Sequence, residues 1–130
     1  MSEDEATIGQ LIEQYYRAFQ GYDVDAVTQC LVFPYTFWTA DELIALADKQ
    51  EFARWWPGYL QGIRSGTGFV RGEILALKIS KLSDTAALVR MRSSRLDAHD
   101  TLISEVNTAF LTYKTNRSWK VAGLIGNIHD

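Results

Sequence analysis

The sequence predicts an α+β domain, with helices first, an antiparallel sheet afterwards, and aromatic side chains trapped between the two layers. Three observations carry this. Apolar residues recur at helical spacing as far as Ile63, they alternate with polar ones from Phe69 onward, and turn residues divide that second part into four stretches of strand length. Two such layers can enclose a lined pocket.

Ile8, Leu11, Ile12, Tyr15 and Phe19 place one apolar stripe on a first helix, with Ser2 and Glu5, or Thr7 and Gln10, as capping pairs and Gly21 as its end. Asp23 caps a shorter second helix whose Val24, Val27 and Leu31 face inward, and Pro34 stops it by pushing Phe33 out of the α region. An extended segment from Phe33 to Thr39 follows. Residues 40–47 leave two alternatives open, because Asp41 to Ala47 has helical propensity while its neighbours suggest a hairpin turning near Asp41. Asp48 and Glu51 form a capping box for a third helix carrying Phe52, Trp55, Trp56, Tyr59, Leu60 and Ile63 on one face. Pro57 removes one of its backbone bonds, which predicts a kink near Ala53, and Gly62, Gly66 and Gly68 mark the exit.

Phe69 to Leu82, Ala86 to Leu96, Thr101 to Thr115 and Trp119 to Ile125 then read as strands, separated by Ser83-Asp84, Asp97 to Asp100, and Asn116 to Ser118. An antiparallel meander is the simplest topology. A two-residue turn at Ala98 and His99 would set Met91 opposite Val106, Val89 opposite Thr108 and Ala87 opposite Phe110 on one face, with Arg92 opposite Glu105 and Arg90 opposite Asn107 on the other. No repeat, low-complexity tract or linker interrupts the chain, so one domain over residues 1–130 is expected.

Composition narrows the function classes. The 13 basic and 16 acidic residues leave a net charge of −3, without the cationic surplus that neutralises phosphates, so nucleic acid is not an expected partner. No apolar run reaches the roughly 20 residues of a membrane span, and the acidic Ser2-Glu3-Asp4-Glu5 is the opposite of a signal peptide's basic leader. A cytoplasmic protein without membrane contact is expected. Cys30 is the single cysteine, so neither an internal disulfide nor a cysteine-based metal site can form.

Few residues point to chemistry. Arg90, Arg92, Glu105 and Asn107 could form a polar patch on a pocket floor, with Glu105 as general base if burial raised its pKa; cross-strand ion pairs are also ordinary on solvated sheet faces. Tyr15, Tyr35, Trp38, Trp55, Trp56 and Tyr59 could line a ligand site or simply fill the core, and two or three of them, with Tyr15, Trp38 and Tyr59 foremost, are expected to touch a cavity. His99 in a turn and His129 near the carboxyl end are too far apart for any metal-binding spacing, and Gly66-Thr67-Gly68 lacks the frame of a phosphate loop. Cys30 beside an apolar stripe reads as a small core residue.

The order of elements, with Leu11-Ile12-Glu13-Gln14-Tyr15-Tyr16-Arg17-Ala18-Phe19, Phe33-Pro34-Tyr35, Glu51-Phe52 and Trp119-Lys120-Val121, resembles the nuclear transport factor 2-like superfamily, which includes the SnoaL-like proteins of cystatin-like fold. That resemblance covers nearly the whole chain. It implies a cone-shaped α+β roll, in which N-terminal helices pack on a strongly curved antiparallel sheet around a pocket, commonly as a homodimer joined through the sheet's outer face. Within the superfamily the chain is similar to bacterial proteins of unknown function with Phe-Pro-His after the second helix and Ser-Arg-x-Asp-Ala before a hairpin. Here those positions read Phe33-Pro34-Tyr35 and Ser94-Arg95-Leu96-Asp97-Ala98, so Tyr35 replaces the usual histidine, and Arg95 could bind an anionic or carbonyl group.

Catalytic relatives, the ketosteroid isomerases, polyketide cyclases and dehydratases, place an Asp, or an Asp with a His, in the pocket. No such dyad maps residue by residue onto this chain, although Asp41 lies in the corresponding region. Two readings follow. One is a binding protein for a small hydrophobic ligand with a polar or carbonyl group, using Tyr15, Tyr35, Trp38, Trp55, Tyr59 and Arg95. The other is a cofactor-independent isomerase, cyclase or dehydratase with Asp41 or Glu105 as base, or a non-catalytic interaction domain on the same scaffold.

Overall fold

Ser2 opens the first helix by accepting the Glu5 amide at 3.1 Å, so that α1 runs over Glu3–Gln20 with Ile8, Leu11, Ile12, Tyr15, Tyr16 and Phe19 buried. The computed structural model describes residues 2–129, with Arg64 described by its backbone alone. After α1 come α2 (Val24–Gln29), β1 (Leu31–Trp38), β2 (Leu43–Leu46), α3 (Lys49–Thr67), β3 (Arg71–Lys81), β4 (Ala86–Leu96), β5 (Leu102–Thr115) and β6 (Ser118–Ile125). Helices therefore precede most of the sheet and pack on one of its faces, giving the α+β roll of cystatin-like fold.

The caps explain most boundaries. Asp23 accepts the Ala26 amide at 3.1 Å and Asp48 accepts the Glu51 amide at 2.9 Å, while the Glu51 carboxylate reaches back to the Ala47 amide. Gly21 is the C-cap of α1 but keeps a right-handed backbone, and the left-handed position falls on Tyr22 at φ 57°. Leu31, expected inside α2, opens β1 instead, since Cys30 already caps the helix. The third helix continues through Pro57, which is exposed, and past Gly62 and Gly66. A glycine on the open side of a helix costs about 1 kcal/mol and does not end it. Gly68, at φ 74°, does.

The two alternatives for residues 40–47 resolve to a hairpin. Thr39 holds its turn by accepting the Asp41 and Glu42 amides, and Trp38 pairs with Leu43. The sheet order is β2-β1-β6-β5-β4-β3, so the meander covers β3 to β6 and β1 joins it parallel to β6. This departs from an all-antiparallel sheet; parallel pairing relies on a long crossover that local patterns do not encode. Gly123 permits the close approach, because a Cβ there would lie 2.7 Å from Thr36 Oγ1. Register shifts interrupt the β1–β6, β3–β4, β4–β5 and β5–β6 ladders, and such bulges bend and twist a sheet, here into a curved, unclosed layer.

The register of β4 and β5 differs from the expected one by two residues. Met91 faces Thr108, Val89 faces Phe110, Arg92 faces Asn107 and Ser94 faces Glu105. Two features add up to it: Asp97 accepts the His99 amide at 2.8 Å and the Thr101 amide at 3.0 Å, which builds a longer loop and pairs Leu96 with Leu102, and the irregularity between Arg95 and Leu96 adds the second residue. The two bonds that Asp97 accepts also lower its pKa. Because side chains alternate with period two, a shift of two changes partners without exchanging faces.

Asp4 pins the start of α1 to the sheet, accepting from Trp119 Nε1 at 3.1 Å and pairing with Lys81 at 2.8 Å and Lys114 at 3.6 Å. At the other end, Phe52, Trp55, Trp56 and Tyr59 of α3 interlock with Phe33, Tyr35 and Phe37 of β1, the tightest contacts being Phe37 against Tyr59 at 4.8 Å and Trp55 stacked on Tyr59 at 5.0 Å. Among the described residues no helix is long and apolar enough to cross a membrane.

Candidate functional site

Alternation along β4 turns Met91, Ser93 and Arg95 toward the helices, and alternation along β5 does the same for Val106, Thr108 and Phe110. Opposite them stand Tyr15, Tyr16 and Phe19 of α1, Phe37 of β1, and Tyr59 and Ile63 of α3. The layers do not meet completely. A cavity of about 210 Å³ remains, completed by Leu124 and Gly126, with the exposed Thr39 and Asn127 at its rim.

Most of its wall is apolar, and the polar groups divide into two sets. At one, the hydroxyls of Tyr15 and Tyr35 share a hydrogen bond deep in the core, where burial raises both phenol pKa values and each ring's proximity to the other adds to the rise at Tyr35. Phe110 meets Tyr15 edge-on at 5.4 Å. At the other, Tyr16 hydrogen-bonds Ser93, and the Arg95 guanidinium lies over the Phe69 ring at 5.5 Å, close enough to act electrostatically on both Tyr16 and Tyr59. Burial raises these two phenols as well, and Arg95 offsets part of the rise. All four phenols therefore stay protonated at neutral pH, and the Tyr35 proton is taken up by the bond to Tyr15.

Gly72 on β3 is part of this arrangement although it does not line the cavity. Its missing side chain leaves room for the Tyr16 hydroxyl, and its amide donates to Gln20 Oε1 at 2.9 Å.

Of the residues expected from sequence, Tyr15, Tyr59 and Arg95 line the cavity together. Tyr35 touches it only through Tyr15, and Trp55 and Trp56 stand behind Tyr59 and Phe52 in the aromatic stack. Trp38 faces away: with Tyr35 and Phe37 inward, strand alternation leaves Trp38 39% exposed. Asp41 is exposed in the β1–β2 turn. Glu105 is not on a pocket floor but on the sheet's outer face, where its carboxylate meets Arg92 at 2.9 Å with both side chains about half exposed. Among the described lining residues none is Asp, Glu, His or Lys, so proton transfer by Asp41 or Glu105 inside this cavity finds no support in the geometry. Among the described residues no cluster of His, Cys, Asp and Glu could hold a metal ion, and Cys30 is buried with its thiol pKa raised by burial.

Sequence reasoning missed Tyr16, Phe37 and Thr108. The alternating Phe33, Tyr35 and Phe37 was a signal for the second, and the Tyr16–Phe19 spacing, which stacks the two rings at 6.1 Å, was one for the first. Thr108 had its signal in strand alternation, which sets it on one face with Val106 and Phe110.

No curated protein matches the sequence. Solved structures match the fold over nearly the whole chain. A Nostoc punctiforme protein of unknown function with a cystatin-like fold superposes with a TM-score of 0.76 at 12% identity, covering 97% of this chain and 91% of its own. An NTF-2 like protein of unknown function from Shewanella oneidensis gives 0.67 at 17%, with 95% and 98% covered. A ketosteroid isomerase-like protein from Erwinia carotovora atroseptica gives 0.66 at 23%, with 97% and 96% covered. At these identities the likeness is one of fold. Residues 3–127 match the family described as NTF2-like protein (DUF6841), and with the helix-on-curved-sheet architecture above, the chain belongs to that NTF2-like family.

Proposed function

We propose that this protein binds a small molecule with an apolar body of about single-ring size and one polar, carbonyl-type group. The observation that carries the reading is the cavity itself: about 210 Å³ between aromatic helices and the concave sheet, mostly apolar, with phenol and guanidinium donors gathered at one side. An apolar cavity of about 150 Å³ accepts benzene, whereas drug-sized ligands occupy about 300–1,000 Å³, so the size points to a single ring or a short chain. Rings supply contact area, and protonated phenols supply donors suited to a carbonyl oxygen rather than to a cation. Binding is preferred over proton-transfer catalysis because the described lining supplies no carboxylate or imidazole base.

Titration with acetophenone and with benzoate, followed by amide NMR, tests the reading. Saturable shifts confined to Met91, Val106, Thr108 and their neighbours are expected with at least one of the two. Tyr59→Phe should leave the melting temperature within a few degrees and weaken that binding by about threefold to tenfold, the worth of one hydrogen bond. No saturable shift with either probe would remove the cavity as a binding site.

A further inference from the structure

Arg95 differs from the other partly buried cations of the chain. Arg71 pairs with Glu73 and Asp100, Lys114 with Asp4, and Lys120 donates to the Gln29 carbonyl. Among the described residues Arg95 has no carboxylate or carbonyl partner, and its guanidinium lines the cavity beside Tyr16 and Tyr59. A guanidinium drawn partly out of water and left without a counter-charge is costly unless something supplies one. The Phe69 ring takes one face of it at 5.5 Å and leaves the planar N–H edge to other acceptors.

We propose that the polar group of the ligand is a carboxylate, held by Arg95 as its counter-ion, with the ligand's apolar body lying along Val106, Phe110 and Phe37. This rests on the binding reading above. Arg95 matches a carboxylate with two parallel N–H donors, which a neutral carbonyl can accept only singly. Tyr59 stands on the same side with a protonated hydroxyl that can donate to the remaining lone pairs, and Tyr16, tied to Ser93, walls that side of the cavity. The absence of any acidic side chain from the described lining removes the repulsion that would otherwise oppose an anion.

Benzoate and acetophenone separate this inference from the one beneath it, because the two share shape and ring and differ in charge. Dissociation constants are measured for the intact protein and for Arg95→Met, which keeps the aliphatic stem over Phe69. Benzoate is expected to bind at least tenfold more tightly than acetophenone, with its shifts at the cavity lining, and Arg95→Met to abolish that preference by weakening benzoate at least tenfold more than it weakens acetophenone. Equal affinity for both probes, preference for acetophenone, or benzoate shifts confined to the outer surface would overturn the carboxylate assignment and leave the pocket reading standing. Failure of both probes to bind would overturn both. The wild-type comparison alone decides if Arg95→Met does not fold.

Discussion

Replacing Gly72 by alanine tests how the β3–β4 edge is fitted to the cavity wall. A Cβ at this position would overlap the Tyr16 hydroxyl and stand 2.5 Å from the Ser94 carbonyl oxygen, a backbone atom of the adjacent strand. The tyrosine tip can swing aside; the Ser94 carbonyl cannot move without parting β3 from β4, where Gly72 pairs with Arg95. Overpacking of this kind costs about 1–3 kcal/mol. Alanine keeps the amide that donates to Gln20, and the reduced freedom of the unfolded chain returns about 0.4–1 kcal/mol. The net is about 1–2 kcal/mol, or a fall in melting temperature of about 5 °C for a domain of this size. Thermal unfolding followed by circular dichroism measures it. Gly62→Ala is the control, since nothing lies within 4 Å of its Cβ on the exposed side of α3, and it should raise the melting temperature by a few degrees. Combining Gly72→Ala with Tyr16→Phe should recover only part of the loss, because the Ser94 contact persists. A melting temperature for Gly72→Ala within 2 °C of the wild type would refute the packing argument, and full recovery in the double variant would refute the part assigned to Ser94.

Two further outcomes concern charge. Lys81, Trp119 and Lys114 hold the Asp4 carboxyl down from 3.8 to about 2, so Asp4 stabilises the folded chain above pH 4 and loses that contribution as pH falls toward 2. The stability gap between wild type and Asp4→Asn, from urea unfolding, should therefore close across that interval; a constant gap would detach Asp4 from its partners. Reversing both charges of the Arg92–Glu105 pair should restore what either single reversal loses, with a coupling of about 0.2–1 kcal/mol for an exposed diagonal pair, and a double-mutant cycle without coupling would reject the contact.

Local signals were the legible part of the fold. The Ser2, Asp23 and Asp48 caps, the stripe on α1, the aromatic face of α3 and the four long strands each depend on residues within a few positions of one another, and each stands where its pattern placed it. Turn geometry was less legible: the loop held by Asp97 and the irregularity between Arg95 and Leu96 each displaced the β4–β5 register by one residue, and the assignment of faces survived because the two together preserve parity. Arg95 emerged from its face and from a resemblance. Its neighbours Tyr16, Tyr59 and Ser93 come from three separate elements, and no spacing in the chain reveals that they meet.

The order of amino acids was sufficient for the class of architecture, the NTF2-like resemblance and the identity of the large rings, because periodicity and capping act over one or two turns of backbone. Packing in three dimensions chose β1's parallel place beside β6, turned Trp38 and Glu105 outward, and left about 210 Å³ unfilled, lined in part by a guanidinium that has no carboxylate partner among the described residues. Those outcomes depend on how bulged strands curve against two helices, a sum of contacts between residues far apart in the chain.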